Sequence, residues 1–132
     1  MPTSMGKSGT LTPSGTMVVM GQDRVYTMDS STYGVPADDP QGYRLEVEYA
    51  SRLTYSGIFV HAAPWSVGDQ GQRNVSHGCL NVSTSNAAWF YENFGWGDIV
   101  QISGTERTLE PTNGLGDWNI PWPEWVLGSA LS

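Results

Sequence analysis

The chain has 132 residues, 13 acidic and 6 basic, for a net charge of −7 and an isoelectric point near 4.5. That length suits one domain with a single core. The six basic residues (Lys7, Arg24, Arg44, Arg52, Arg73 and Arg107) are scattered, which argues against sequence-independent binding to nucleic acid or anionic lipid, since both need clustered cations.

Only 14% of residues are charged and 16 are glycine, against usual shares of about 25% and about 7%. A β-rich, turn-rich domain is expected. One cysteine rules out an intrachain disulfide. No apolar run reaches the roughly eighteen residues of a membrane helix, and Met1-Pro2-Thr3-Ser4 leads into a turn-like segment, so no export signal is read in this chain.

Residues 1–16 are rich in Ser, Thr, Gly and Pro, with turns expected at Gly6–Gly9 and Pro13–Gly15. Thr16–Met20 and Arg24–Met28 read as strands, joined as a hairpin by Gly21-Gln22-Asp23. Residues 29–43 hold Gly34, Pro36, Pro40 and Gly42 and read as a long loop of the functional or disordered kind. Arg44–Ala50 fits strand or helix. Gly57–Ala62 is a short apolar run suited to a buried strand that delivers His61 near its end, and residues 63–76 form a second loop carrying Trp65. Cys79–Val82 reads as extended.

Ser83 or Ser85 caps the one clear helix, in which Ala87, Phe90, Tyr91 and Phe94 share one face; Gly95 and Gly97 end it. Asp98–Ile102 is a further strand. In the tail from Gly114, Trp118, Trp122 and Trp125 are expected to clamp the C-terminus onto the domain, with a ligand platform as the alternative. No internal repeat or linker is present, so residues 1–132 are taken as one domain with a Trp-rich segment over 114–132.

The chemistry concentrates in Ser76-His77-Gly78-Cys79-Leu80-Asn81. This run holds the sole cysteine, and the only two histidines, His61 and His77, lie within a nineteen-residue window that ends on it. A lone cysteine is most often a small buried hydrophobe, but a cysteine beside histidines fits a thiolate nucleophile with an imidazole base. His61, remote in sequence and at a strand end, is the better base; His77 shares the turn with Cys79 and orients it or lines the pocket. Gly78 allows a sharp bend that turns the Gly78 and Cys79 amides toward a developing oxyanion. No Asp or Glu lies near either histidine in sequence, so a backbone carbonyl is the expected partner of the imidazole. A zinc site of two histidines and one cysteine is the competing reading, weakened by the absence of a second Cys pair or a His-x-x-x-His.

His61, fourteen residues, then Ser76-His77-Gly78-Cys79-Leu80-Asn81 resembles the signature of L,D-transpeptidase catalytic domains of the YkuD type. Ser4–Lys7, Thr12–Thr16, Met28–Gly34, Gln41–Arg44, Phe59–Ser66 and Gly114–Trp122 resemble the actinobacterial and mycobacterial branch of that family. The resemblance implies a mostly β fold, a sandwich of mixed sheets with one helix. It implies a cell-envelope enzyme with no cofactor and no metal, which attacks the third-residue carbonyl of a peptidoglycan tetrapeptide stem. D-Ala leaves, a thioester forms on the cysteine, and an amine of a neighbouring stem resolves it as a 3→3 cross-link; carbapenems acylate the same cysteine.

Carried over, Cys79 is the nucleophile and His61 the base, held by the Ala62 carbonyl. His77 supports the site. The Gly78 and Cys79 amides, with the Tyr43 hydroxyl, form the oxyanion hole, and Asn81 fixes the turn. Met28, Tyr33, Ser56, Trp65 and Ser76 line the substrate cleft, under a lid at 29–43. Two departures stand out. Related mycobacterial domains carry Ser where this chain has Ala62. Family domains also open with two more strands before the Ser-Met-Gly segment, so the N-terminal strands are expected to be missing and the sheet to show an unpaired edge. The rival readings are an inactive or regulatory peptidoglycan-binding module and a cysteine peptidase or amidase.

Overall fold

The computed structural model describes residues 1–130; the last two residues of the expected 114–132 segment lie outside them. Six strands are present among the described residues: β1 (Gly15–Val18), β2 (Gly21–Asp29), β3 (Arg44–Arg52), β4 (Phe59–Ala62), β5 (Leu80–Val82) and β6 (Ile99–Ile102). The main helix, α1, spans Thr84–Asn93, and a six-residue α2 spans Trp122–Leu127. The mostly β expectation holds, with α2 and three short 3-10 turns added.

Four strands form one sheet in the order β2-β3-β4-β5, and β1 pairs with β6 in a second. The β4–β5 pair is parallel and the others antiparallel. Every residue of β4 and β5 is buried, as a central parallel pair covered on both faces requires. The ambiguous Arg44–Ala50 run is strand: Leu45 and Val47 alternate inward against exposed Arg44, Glu46 and Glu48.

The expected β1–β2 hairpin is absent. Gly21-Gln22-Asp23 already belongs to β2 and pairs with Arg52, Ser51 and Ala50. The chain changes sheets at Val19-Met20, where the Val19 amide donates to the Asp98 carbonyl and the Met20 amide to the Arg52 carbonyl, at 2.8 and 2.9 Å. Two successive strands with no turn between them cannot fold back on each other.

One buried cluster lies between the two sheets and α1, around Met17, Val19, Leu53, Val60, Leu80, Val82 and Ala87. A smaller one fills the opposite face of the four-stranded sheet, with Met28, Val47, Ala50, Phe59 and Cys79. The cysteine is therefore embedded in a core, at the sheet face where the site forms. Helix α1 is capped by Ser83, whose Oγ accepts from the Asn86 amide. Its predicted face is used as expected: Ala87 is fully buried, Phe90 packs on the core, Phe90 stacks on Phe94 and Tyr91 meets Tyr49 edge-on. Tyr49 reaches α1 from a strained backbone, with φ of 52°, the sole positive φ of a non-glycine described residue.

Among the described residues β2 has no strand partner on its outer side, in line with the expected unpaired edge, and the opposite edge is partly covered. The β5 edge is not open along its length: Ser4 and Asn81 exchange main-chain hydrogen bonds at 3.0 and 2.8 Å, and Gly6 bridges Ser76. Conversely, the tail tryptophans do not clamp: Trp118 and Trp122 are 70% and 72% exposed. The tail is docked by a polar device, the Asn119 amide group, which accepts from the Thr16 amide at 2.7 Å and donates to the Thr16 carbonyl at 2.8 Å. It thereby substitutes for a strand partner on the free side of β1.

Candidate active site

Strands β4 and β5 set the site. Their parallel register places His61 beside Asn81, so the two side chains share a face, with Phe59 two residues back on β4 and Cys79 in the turn just before β5. A cleft of about 160 Å³ opens over this face, lined by Met28, Tyr43, Leu45, His61, Trp65, Val75, Ser76, His77, Cys79 and Asn81. Of the expected residues, Cys79, both histidines, Tyr43, Met28, Trp65, Ser76 and Asn81 meet there.

His61 is buried, and its Nδ1–H donates to the Ala62 carbonyl at 2.8 Å. That bond selects the tautomer in which Nε2 carries a lone pair. The change to alanine at position 62 leaves the arrangement intact because the main chain makes it. Burial pushes the His61 pKa below the usual imidazole value, and the Ala62 hydrogen bond opposes this only in part. The imidazole is thus neutral in the resting state.

The Cys79 thiol is buried and donates to the Gly57 carbonyl at 3.3 Å. Burial pushes its pKa up to about 11, against a main-chain hydrogen bond from Phe59 and the Arg52 guanidinium, which both act downward. Both shifts favour the uncharged pair, thiol and neutral imidazole, over a thiolate–imidazolium pair. Gly57 has φ of 88°, a left-handed conformation suited to glycine, and a Cβ there would collide with the Tyr33 hydroxyl. Tyr33, on the 3-10 turn Ser30–Tyr33 of the loop after β2, thus packs directly against the residue whose carbonyl holds the thiol.

The turn before Cys79 is stapled by Ser76. Its Oγ accepts from the Gly78 amide at 3.0 Å and donates to the Cys79 carbonyl at 2.7 Å, both buried. This corrects one expectation: the Gly78 amide is committed inside the turn and is not presented to the cleft. Gly78 still serves the bend, with φ of 129° and Ile58 Cδ1 where a Cβ would stand. His77 is exposed and lies against the Tyr43 ring, with centroids 4.7 Å apart. Its pKa is lowered by partial burial and by the nearby Lys7 charge. Burial, and then the proximity of Cys79, raise the Tyr43 phenol.

Two expected lining residues are elsewhere. Ser56 faces away, bonded to Asn113 and Thr54, and Tyr33 covers Gly57 without lining the cleft. Leu45 and Val75 line it unannounced; Leu45 follows from the inward alternation of β3 once that segment is read as strand. Asn81 is buried, donates through Nδ2 to Ser66 Oγ at 3.3 Å, and has no hydrogen-bond partner for Oδ1. Among the described residues no group of three or more His, Cys, Asp and Glu side chains gathers as a metal-ligand set, and no helix is long and apolar enough to cross a membrane.

Comparison with known proteins agrees with this geometry. Residues 1–102 match the YkuD family, the L,D-transpeptidase catalytic domain. L,D-transpeptidase 2 of Mycobacterium tuberculosis is 56% identical over 98% of this chain, and the match covers 32% of that protein. A solved L,D-transpeptidase from Mycobacterium smegmatis superposes with a TM-score of 0.75 at 50% identity, covering 79% of this chain and 48% of that one. A solved LD transpeptidase in complex with imipenem superposes with a TM-score of 0.77 at 47% identity, covering 78% of this chain and 48% of that one. The chain spans about a third of the length of the curated relative and about half of the solved chains. With the motif, the parallel β4–β5 pair and the cleft in place, the chain belongs to the YkuD family of L,D-transpeptidase catalytic domains.

Proposed function

We propose that this chain performs L,D-transpeptidation on peptidoglycan stem peptides in the cell envelope, through an acyl-enzyme on Cys79. The observation that carries the proposal is the meeting of Cys79 and His61 in one cleft, with the imidazole locked by the Ala62 carbonyl so that Nε2 is the basic nitrogen. Since both partners rest neutral, the proton must move during attack. As substrate displaces the thiol from the Gly57 carbonyl, His61 Nε2 takes the S–H proton and the sulfur bonds to the carbonyl carbon of the third stem residue. The Cys79 amide and the Tyr43 hydroxyl donate to the oxyanion; Ser76 and Gly78 hold the turn that aims the amide. Collapse breaks the peptide bond, and the leaving D-Ala amine takes the proton from His61. An amine of a second stem then attacks the thioester and gives its proton to His61; the C–S bond breaks, the sulfur takes that proton back from His61, and the new amide is the 3→3 link.

A neutral base and a thiol raised to about 11 protect the nucleophile from oxidation while idle, because the thiolate is the reactive form. His77 and Tyr43 form one wall, and Met28, Leu45 and Trp65 supply apolar surface for the stem. The likeness to a relative solved with imipenem supports a further expectation, acylation of Cys79 by carbapenems. Incubation with a purified disaccharide-tetrapeptide tests the reaction. The wild-type chain should release D-Ala and form a 3→3 dimer, and Cys79→Ala should do neither. D-Ala release without dimer would assign a hydrolytic carboxypeptidase instead, and a folded wild-type chain inert to both stem and carbapenem would assign a non-catalytic module.

A further inference from the structure

We propose that Arg52 is a positioning residue for the Cys79 nucleophile: its guanidinium, held over the Phe59 ring, places a fixed positive charge on the core side of the sulfur and favours the thiolate over the thiol. The inference deepens the acyl-enzyme reading above and rests on it for its catalytic meaning. Arg52 on β3 pairs with Phe59 on β4. The β4–β5 register pairs Val60 with Leu80, and the residues just before them, Phe59 and Cys79, are packed in one buried cluster. Arg52 lies over the Phe59 ring on that same side of the sheet. Two strand spacings of about 4.8 Å separate β3 from β5, and the long arginine side chain spans part of that gap.

The guanidinium is fixed at both ends. Nη1 donates to the Thr54 carbonyl at 3.1 Å and Nη2 to the Tyr26 hydroxyl at 3.0 Å. Cζ lies 4.4 Å from the Phe59 ring centre, and Phe59 is fully buried and packed in the same cluster as Cys79. None of these partners is a carboxylate. The ion pairs among the described residues engage Arg24, Arg44 and Arg73, not Arg52. A half-buried charge with no carboxylate beside it, immobilised against an aromatic ring, is screened less toward the core than a fully solvated one.

The other titratable groups around the sulfur do not supply this charge. Burial disfavours the charged forms of His61 on β4 and of the Tyr43 phenol. Asp29 and Arg44, at the ends of β2 and β3, face each other at 3.7 Å. Lys7 acts on His77. The downward pull of Arg52 on the thiol accords with the geometry. In the reaction the sulfur becomes anionic when His61 takes its proton, and again when the thioester is resolved; a fixed cation on its core side lowers both barriers without touching substrate.

The test is the pH profile of Cys79 alkylation by iodoacetamide, which reads thiolate alone and, with one cysteine in the chain, reads a single site. Arg52→Met should move the profile upward and slow alkylation near pH 8 by about five- to tenfold, about one unit of thiol pKa at most. Arg52→Lys should stay within about threefold of wild type, because it keeps the charge. A folded Arg52→Met with an unshifted profile overturns the proposal, as does Arg52→Lys slowed as far as Arg52→Met, since packing and not charge would then be at stake. Should Arg52→Met fail to fold, Tyr26→Phe removes the Nη2 anchor and should still give a smaller upward shift; no shift in folded Tyr26→Phe overturns it equally. The readout uses no stem peptide, so failure of the transpeptidase reading shows separately, as absence of carbapenem and stem acylation in the wild type.

Discussion

Ser76→Ala removes two buried hydrogen bonds and leaves the Gly78 N–H and the Cys79 carbonyl without the hydroxyl that joins them. An orphaned buried polar group costs about 1–3 kcal/mol. Ser76 also lines the cleft, so water can reach part of the gap, and the combined loss is set near the lower end, at about 2 kcal/mol. For a chain of 132 residues, an unfolding entropy of about 2.1 cal/mol/K per residue converts this to a fall of about 7 °C in Tm. The same change frees the turn that aims the Cys79 amide, so acylation should slow by about tenfold beyond the stability effect. Ser76→Thr keeps the oxygen and should recover most of both. Urea denaturation and calorimetry give the first number, and single-turnover acylation by a carbapenem gives the second. A Ser76→Ala protein within about 0.5 kcal/mol of wild type and equally fast would refute the staple.

Other consequences are as specific. The folded thiol titrates at about 11, above its ordinary value of 9.0. The folded state therefore keeps a proton that the unfolded chain gives up, and stability should fall as pH rises from about 9 to 11, by roughly 2–3 kcal/mol; the wild-type stability curve minus that of Cys79→Ala isolates this loss, and parallel curves would deny it. His61 has the opposite sense: its folded pKa is lowered, the unfolded chain binds the extra proton, and stability should fall as pH drops below about 6.5, a fall that His61→Gln should reduce in denaturant titrations, leaving the contribution of His77, whose pKa is also lowered. Gly57→Ala forces a left-handed backbone, costing about 1–2 kcal/mol, and drives a methyl into Tyr33; Tyr33→Ala in the same chain should recover the collision part but not the backbone part, as measured by a double-mutant cycle.

Much of the site was legible because its parts are local. The spacing of His61 and the Ser76–Asn81 run places both reactive groups on neighbouring strands, and the helix face at Ala87, Phe90, Tyr91 and Phe94 follows from its period. What escaped was partner identity. Thr16–Met20 and Arg24–Met28 look like the arms of a hairpin, yet β1 finds β6, about eighty residues away, and β2 finds β3; alternation marks a strand without naming its neighbour. Motif spacing shows that Gly78 bends, but not that Ser76 captures its amide. Ser56 lies only five residues before His61, but its hydroxyl turns to Asn113, fifty-seven residues on. The tail tryptophans follow the same logic: aromatic content signals area to bury, and here Asn119 carries the docking while the indoles stay outside.

The central claim is that Cys79 is an acyl-accepting nucleophile activated by His61. Intact-mass spectrometry after incubation with a carbapenem, with the adduct mapped by peptide digestion, tests it most directly. One adduct per chain is expected on the Cys79 peptide, with no adduct on Cys79→Ala and loss of most of the acylation rate in a His61→Ala protein that still melts cooperatively. An unmodified, folded wild-type chain, an equal adduct on Cys79→Ala, or full-rate acylation without His61 would contradict it.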